Sequence, residues 1–291
     1  MRTTVRYTDK LCKSRSRINR TAGGTFMMIG KPGEARSAIS TADAASITVR
    51  GEDLCEDLIG QVSFTEFFFL HVTGRRPTAD QRFFLDALLV CIAEHGLTPT
   101  VQAARMTLAA GPDAFQAAVA AGILGCGTVV LGTAELCAAL LGDLVRQAGN
   151  ADAESRAALA LARATEIRAA GGRLPGFGHP LHRPVDPRAE RLIGLARARG
   201  VAGPHLDMLL HLKPAAEQAW GKPLVMNVSG PIAAILLDLD FPEAAVKGIP
   251  VLARTAGIIG HLAEEKERPI GFYLAAKAEE AITYDGGERR P

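Results

Sequence analysis

Apolar residues along this chain recur mostly at three- and four-residue spacings, and glycine or proline stands where each run stops. From Ala79 to His95, the side chains of Phe83, Phe84, Ala87, Leu88, Cys91 and Ile92 share one helical face, and Gly96 follows. Thr65–Val72 is a strongly apolar run stopped at Gly74, with Pro77 just beyond it. Ala151–Ala170 is alanine-rich and closed by Gly171 and Gly172. Pro187–Arg199 opens on proline, whose missing N–H costs nothing in a first turn, and stops at Gly200. Pro242–Lys247 repeats that opening, and Val251–Glu265 carries Val251, Leu252, Ile258, Ile259 and Leu262. Only Ile47–Arg50, ending at Gly51, reads as a short strand or extended segment. The pattern predicts an all-α protein without internal repeats.

Ala114–Ala134 carries no charge and is long enough to span a bilayer. Gly122, Gly125, Gly127 and Gly132 interrupt it, so a buried helix running into a glycine loop is expected instead. The first 26 residues show no hydrophobic period and precede Met27 and Met28. Two readings of this leader stand: an organelle transit peptide, or a start site placed too early. The fold is expected to begin near Ser37.

Composition narrows the class. With 48% apolar residues, 291 residues can bury a large core, and the 5% aromatic content suits closely packed helices better than a β-sandwich. The net charge of +2 is uneven: residues 1–20 carry seven Lys/Arg against Asp9, a local +6 that leaves −4 for the rest. A slightly acidic body gives no footprint for nucleic acid. Cys12, Cys55, Cys91, Cys126 and Cys137 form no metal-ligand spacing, and the odd count suits reduced thiols in the cytoplasm. Cys126 and Cys137, in apolar surroundings, read as core residues.

The segment Leu174-Pro-Gly-Phe-Gly-His-Pro-Leu-His-Arg-Pro-Val-Asp-Pro-Arg188 concentrates the candidate chemistry. Its two glycines before His179 allow close backbone approach to a ligand, and its four prolines hold the loop. Two arginines follow at fixed offsets, and arginine supplies planar bidentate geometry that lysine does not.

This segment resembles the signature of the citrate synthase family, G-[FY]-G-H followed by an arginine and D-P-R. The likeness runs over residues 45 to 291: V-R-G-E-D-L, S-F-T-E, G-R-R-P-T, N-V-S-G, A-R-T-A-G and E-R-P follow in the family's order. It implies a two-domain helical fold, with residues 37–133 and 241–291 forming a large domain and 134–240 an inserted small one; residues 1–36 are the leader. It implies that His179 serves the oxygen at the carbon undergoing addition or cleavage, and that Arg188, Arg254 and Arg268 hold substrate carboxylates. By the same likeness, His95 is a further substrate histidine. Leu174, Pro175, Gly176, Phe177 and Gly178 are expected to cradle the adenine of coenzyme A, and Arg183 to meet a phosphate. The arginine of E-R-P reaches the neighbouring subunit in the family, so a homodimer is expected. No metal and no tightly bound cofactor are expected; the partners are an acyl-CoA and a di- or tricarboxylate.

Two departures shape the expected activity. Citrate synthases carry a histidine in a G-P-x-H-G loop, where this chain has Val130 or Leu131 within G-T-V-V-L-G. They carry an aspartate in N-V-D where this chain has Ser229. A hydroxyl is a poor general base, and loss of positioned proton transfer costs about a hundred- to ten-thousand-fold. The family's citryl-CoA lyases share the first departure but not the second. The expected function is therefore cleavage of a 3-hydroxyacyl-CoA, with citryl-CoA foremost, to acetyl-CoA and oxaloacetate. Citrate synthesis in the forward direction and a catalytically silent coenzyme A-binding homologue are the alternatives.

Overall fold

A computed structural model describes residues 36–287. The leader, with Cys12, lies outside them. Residues 36–38 are exposed and precede the folded unit, Ile39–Pro291.

The unit opens on a small antiparallel sheet of β1 (Ser40–Ala42), β2 (Ile47–Val49) and β3 (Glu52–Asp53), in that order, with Thr41 opposite Thr48 and Val49 opposite Glu52. The strand expected at 47–50 is β2. After a π-helical turn at Leu54–Leu58, helices take over. The helix α1 (Phe64–Thr73) starts at a capping box of Ser63 and Glu66 and ends on left-handed Gly74.

In α2 (Ala79–Ala93), Thr78 and Gln81 form a second capping box. This helix stops two residues short of the predicted His95. Glu94 turns extended, and its own carboxylate accepts the N–H groups of His95 and Gly96 at 2.8 and 2.6 Å. A local side-chain acceptor thus replaces the next helical turn.

Next come α3 (Pro99–Ala110), α4 (Phe115–Leu124) and α5 (Thr133–Ala148). The charge-free stretch is therefore α4 followed by a glycine loop, but the helix is not the buried one expected: only Ala118 and Gly122 of it are buried, because it packs by one face alone, and Leu124 is exposed. Among the described residues no helix is long and apolar enough to cross a membrane. They are followed by α6 (Ala153–Ala169), α7 (Pro187–Ala198), α8 (Pro204–Trp220) and α9 (Ser229–Asp238). The helix expected at Pro242–Lys247 is only a 3-10 turn, Glu243–Ala245, because α10 (Gly248–Glu267) begins a new axis immediately after it. The last helix is α11 (Gly271–Ala281).

The main core joins α2 with α5 through α9 around Phe84, Leu88, Leu141, Leu209, Leu212 and Ile232. A second cluster packs Val101, Ala104 and Leu108 of α3 against Ala118 of α4 and Ile258 and Leu262 of α10. Gly257 lets α10 pass against the end of α2: a Cβ there would collide with the carbonyl oxygen of Ala93. This close approach brings Arg254 beside the residues that follow α2. Cys137 is fully buried, and burial pushes its thiol up to about 12, as suits a core residue.

Candidate active site

A cavity of about 1150 Å³ opens between the end of α2, the 127–132 loop, the 173–188 loop, the 220–229 segment and α10. His95, His179, Arg188, Arg254 and Ser229 all line it, as do Leu174–Gly178 and Arg183. Arg268 does not. It is exposed at the end of α10, fourteen residues beyond Arg254, which is about 21 Å along a helix axis. Its carbonyl oxygen accepts from Arg105 Nη2, and Arg105 is itself held by buried Glu265.

The loop that carries His179 is built against the segment that carries Ser229. Gly176 adopts φ 82° and packs so closely on Cys137 and Gly230 that a Cβ would lie 3.0 Å from sulfur and 3.2 Å from Cα. Its carbonyl accepts from Asn227 N, Phe177 pairs with Met226, and Asn227 Nδ2 donates to the Gly178 carbonyl. The Asn227 side chain also accepts from Ser229 N at 3.0 Å, which sets the start of α9.

His179 has a defined tautomer. Its Nδ1 accepts from the main-chain N–H groups of Leu181 and His182 at 3.1 and 2.9 Å, so in the neutral ring the hydrogen resides on Nε2. Burial first, then the neighbouring His182 and Arg188, holds its pKa below the usual histidine value. At neutral pH it is therefore an uncharged Nε2–H donor. Arg188 Nη2 stands 3.3 Å from that nitrogen, so two donors converge on one point.

Arg188 is positioned by Asp186, which has no exposed surface. The carboxylate accepts from Arg188 N, Nε and Nη2 at 3.1, 3.0 and 2.9 Å, and from Val228 N at 3.1 Å. Burial alone would raise the Asp186 pKa; the hydrogen bonds and charge of Arg188 outweigh it and hold the group ionised. One aspartate thus caps α7, aims the arginine and ties the Ser229 segment to the loop.

Arg254 is in the opposite situation. It is 3% exposed, and its guanidinium reaches only Thr98 Oγ1 at 3.5 Å and the Ile92 carbonyl at 3.4 Å, both long. Its Nε is buried with no hydrogen-bond partner. Burial pulls its pKa below the ordinary arginine value, with Glu94 acting the other way. Across the whole wall, Arg173, Arg183, Arg188, Lys222 and Arg254 stand without a single carboxylate among the described lining residues. The cavity is built for an anion.

Ser229 Oγ lies 2.6 Å from Thr133 Oγ1, a hydroxyl pair facing the cavity. Beside it the loop is apolar, with Val130 and Leu131 in the wall and Leu131 held at φ 69°. That conformation is costly for a leucine and belongs to a loop closed tightly by Gly132 N donating to the Gly127 carbonyl.

Three residues escaped the sequence reading. Asp186 could have been found as the helix cap of D-P-R, and His182 stands in the motif itself; Thr133 carries no sequence signal. His182 brings a third imidazole to His95 and His179, with potential ligand nitrogens within 4.8 Å of one another, although no metal ligand is expected from the sequence. The donor set argues for an anion over a cation here: His179 Nδ1 already accepts two N–H groups, and Arg188 approaches its other nitrogen.

A family model, the C-terminal domain of citrate synthase, matches residues 34–271. The structure of citryl-CoA lyase from Hydrogenobacter thermophilus superposes with a TM-score of 0.78 at 27% identity, covering 88% of this chain and 96% of that one. ATP citrate lyase from Methanothrix soehngenii, solved in complex with citrate and coenzyme A, shares the fold with a TM-score of 0.70 at 21% identity, over 90% of this chain and 43% of that one. A Mycobacterium tuberculosis protein named as citrate synthase 2 is 29% identical over 219 residues, 70% of this chain and 54% of the relative. The chain spans about half the length of that relative.

Proposed function

We propose that this chain, which belongs to the citrate synthase family, cleaves citryl-CoA, or a closely related 3-hydroxyacyl-CoA, to acetyl-CoA and a 2-oxo acid. The observation that carries the reading is the buried, unpaired guanidinium of Arg254 in a cavity lined by five cations and no carboxylate among the described residues. A substrate carboxylate would supply its missing partner.

In this reaction the C3 hydroxyl gives its proton to water and becomes a carbonyl as the bond between C2 and C3 of the acyl group breaks. The electron pair passes to the thioester as an enolate, whose carbon then takes a proton back. Negative charge on the C3 oxygen is met by His179 Nε2–H and Arg188, the two donors that converge there. Arg188 and Arg254 hold carboxylates, with His95 beside them. The apolar Val130 and Leu131 of the cavity wall offer no side-chain donor to a thioester carbonyl. The test is incubation of the purified protein with citryl-CoA. Equal yields of oxaloacetate and acetyl-CoA are expected, and no oxaloacetate from a protein that still binds coenzyme A would overturn the proposal.

Coenzyme A is assigned to the Leu174–Gly178 loop, with its phosphates toward Arg183, Arg173 and Lys222 at the rim. Arg183 is exposed, so its contribution is screened by salt. Arg183→Ala is expected to weaken coenzyme A binding roughly tenfold at low ionic strength and less at high. Unchanged affinity by calorimetry in low salt would remove this placement.

Ser229 is proposed to stand beside the acetyl carbon, which must gain a proton after cleavage. Ser229→Asp is expected to raise citryl-CoA cleavage, by up to about a hundred-fold where proton transfer is slow. Thr133 can donate to the introduced carboxylate. A fall in activity instead would mean that the natural acyl group occupies this space and citryl-CoA is a surrogate.

The protein is further proposed to form a homodimer in which Arg268 completes the partner's site, and the 134–240 segment to act as the small domain. An active monomer in sedimentation at micromolar concentration would exclude the shared site.

A further inference from the structure

His182 is not among the residues that line the cavity, yet it touches both histidines that do. Its main-chain N–H donates to His179 Nδ1 at 2.9 Å, and its Nε2 lies 3.2 Å from His95 Nε2. The three rings form one cluster, with His179 and His182 centroids 4.3 Å apart and those of His95 and His182 5.2 Å apart. Contact between two imidazole nitrogens has a strict requirement: one carries the hydrogen and the other offers its lone pair. Whichever way the bond points therefore determines the tautomer of both rings.

We infer that His182 is a positioning residue that donates from Nε2 to His95 Nε2 and so places the hydrogen of His95 on Nδ1. The direction follows from the electrostatics of the cavity. With Nε2 taken by His182, Nδ1 is the nitrogen of His95 left for a ligand. In a cavity whose wall holds five cations and no acidic group among the described residues, the ligand is an acceptor. A hydrogen-free Nδ1 would repel it, whereas an Nδ1–H satisfies it. The opposite arrangement would pair two lone pairs at the ligand.

His182 thereby does the same for both neighbours. Through its backbone it leaves His179 with Nε2–H; through its ring it leaves His95 with Nδ1–H. Two donors are presented to an anion. For His179 neutrality matters because Arg188 stands beside it, and each neighbouring histidine lowers its proton affinity. A single residue outside the cavity thus sets the donor pattern inside it.

The effect on binding rests on the carboxylate reading given above, the tautomer assignment only on the ligand's being an acceptor, and the experiment separates them. In protein carrying 15N-labelled histidine, long-range 1H–15N spectra at pH 8 report which ring nitrogen holds the hydrogen, with His95 assigned by loss of its signals in His95→Gln. The wild type is expected to show His95 as Nδ1–H. His182→Leu, which removes the donor, should shift His95 toward Nε2–H, while His182→Gln, whose amide can donate, should retain Nδ1–H. Citrate, titrated by calorimetry, should bind His182→Leu roughly tenfold more weakly, the worth of one hydrogen bond to a charged group, and His182→Gln nearly as well as wild type. A His95 tautomer that is Nε2–H in the wild type, or unchanged in His182→Leu, overturns the assignment. A shifted tautomer with undiminished citrate affinity leaves the positioning role standing and overturns the carboxylate reading at His95.

Discussion

Arg254→Met is expected to lose citrate and oxaloacetate binding while leaving the empty protein as stable as before, or more so. The two halves of this result have one cause. Within the protein the guanidinium is buried with only two long contacts and one orphaned N–H. A buried charge without a partner destabilises, and exchange of such a group for an apolar side chain of similar volume is commonly neutral or stabilising by about 1–4 kcal/mol. When a carboxylate binds, the same desolvated charge meets its counter-ion in a site from which water is largely excluded. Removing one partner of such a pair costs about 2–5 kcal/mol, or roughly 30- to several-thousand-fold in affinity. Thermal unfolding of the empty variant and calorimetry with citrate check the two halves separately. Undiminished affinity would show that Arg254 serves the fold; a large drop in the melting temperature would show that its contacts in the empty protein stabilise after all.

His179→Ala is expected to reduce kcat for citryl-CoA cleavage by about a hundred- to a thousand-fold, the usual worth of one donor aimed at a developing oxyanion. The change in KM should be smaller, because the proposed function assigns the carboxylates to Arg188 and Arg254. The pH dependence carries a sign that can be worked out. Burial, His182 and Arg188 lower the pKa of His179 in the folded state, so its neutral form persists below the ordinary value of about 6.5. Protonation would also place a hydrogen on Nδ1, where two main-chain N–H groups already point. Activity should accordingly hold flat through pH 6.5 and fall only at lower pH. Stability follows the same direction: the unfolded chain takes up the proton first, so this residue's contribution declines as pH falls through about 6.5. A rate that begins to fall above pH 6.5, or a His179→Ala variant within tenfold of wild type, would contradict the role.

Much of the fold was legible because its signals are local. Glycines after α1, α6 and α7, proline at the start of α7 and the apolar face of α2 each specify a helix within a few residues of its ends. Local reading failed where local features compete. The helix α2 ends at Ala93 because the Glu94 carboxylate captures two N–H groups, and Pro242 opens only a 3-10 turn because α10 begins so soon after it. Helices α3, α5, α8, α9 and α11 are not among those the pattern predicts, and for α9 the reason is that packing rather than a polar stripe defines its faces. Ser229–Asp238 is apolar nearly all round and buried over most of its length.

For the site, the sequence by itself pointed to many of the residues that line the cavity, though not to Thr133, and it also named Arg268, which does not line it. His179, Arg188, Ser229 and the 174–178 loop sit in short motifs whose spacing survives folding, and His95 and Arg254 follow from the same family pattern. Tertiary structure alone decided what each of them is free to do. Arg188 is locked by Asp186 two residues away, whereas Arg254 stands unpaired beneath α2, contacting carbonyls and hydroxyls more than 150 residues distant in the chain. Ser229 meets Thr133 across 96 residues and His95 meets His182 across 87. Charge state, tautomer and hydrogen-bond capacity depend on neighbours within a few ångströms, and these neighbours are chosen by helix packing, which no local spacing in the sequence encodes.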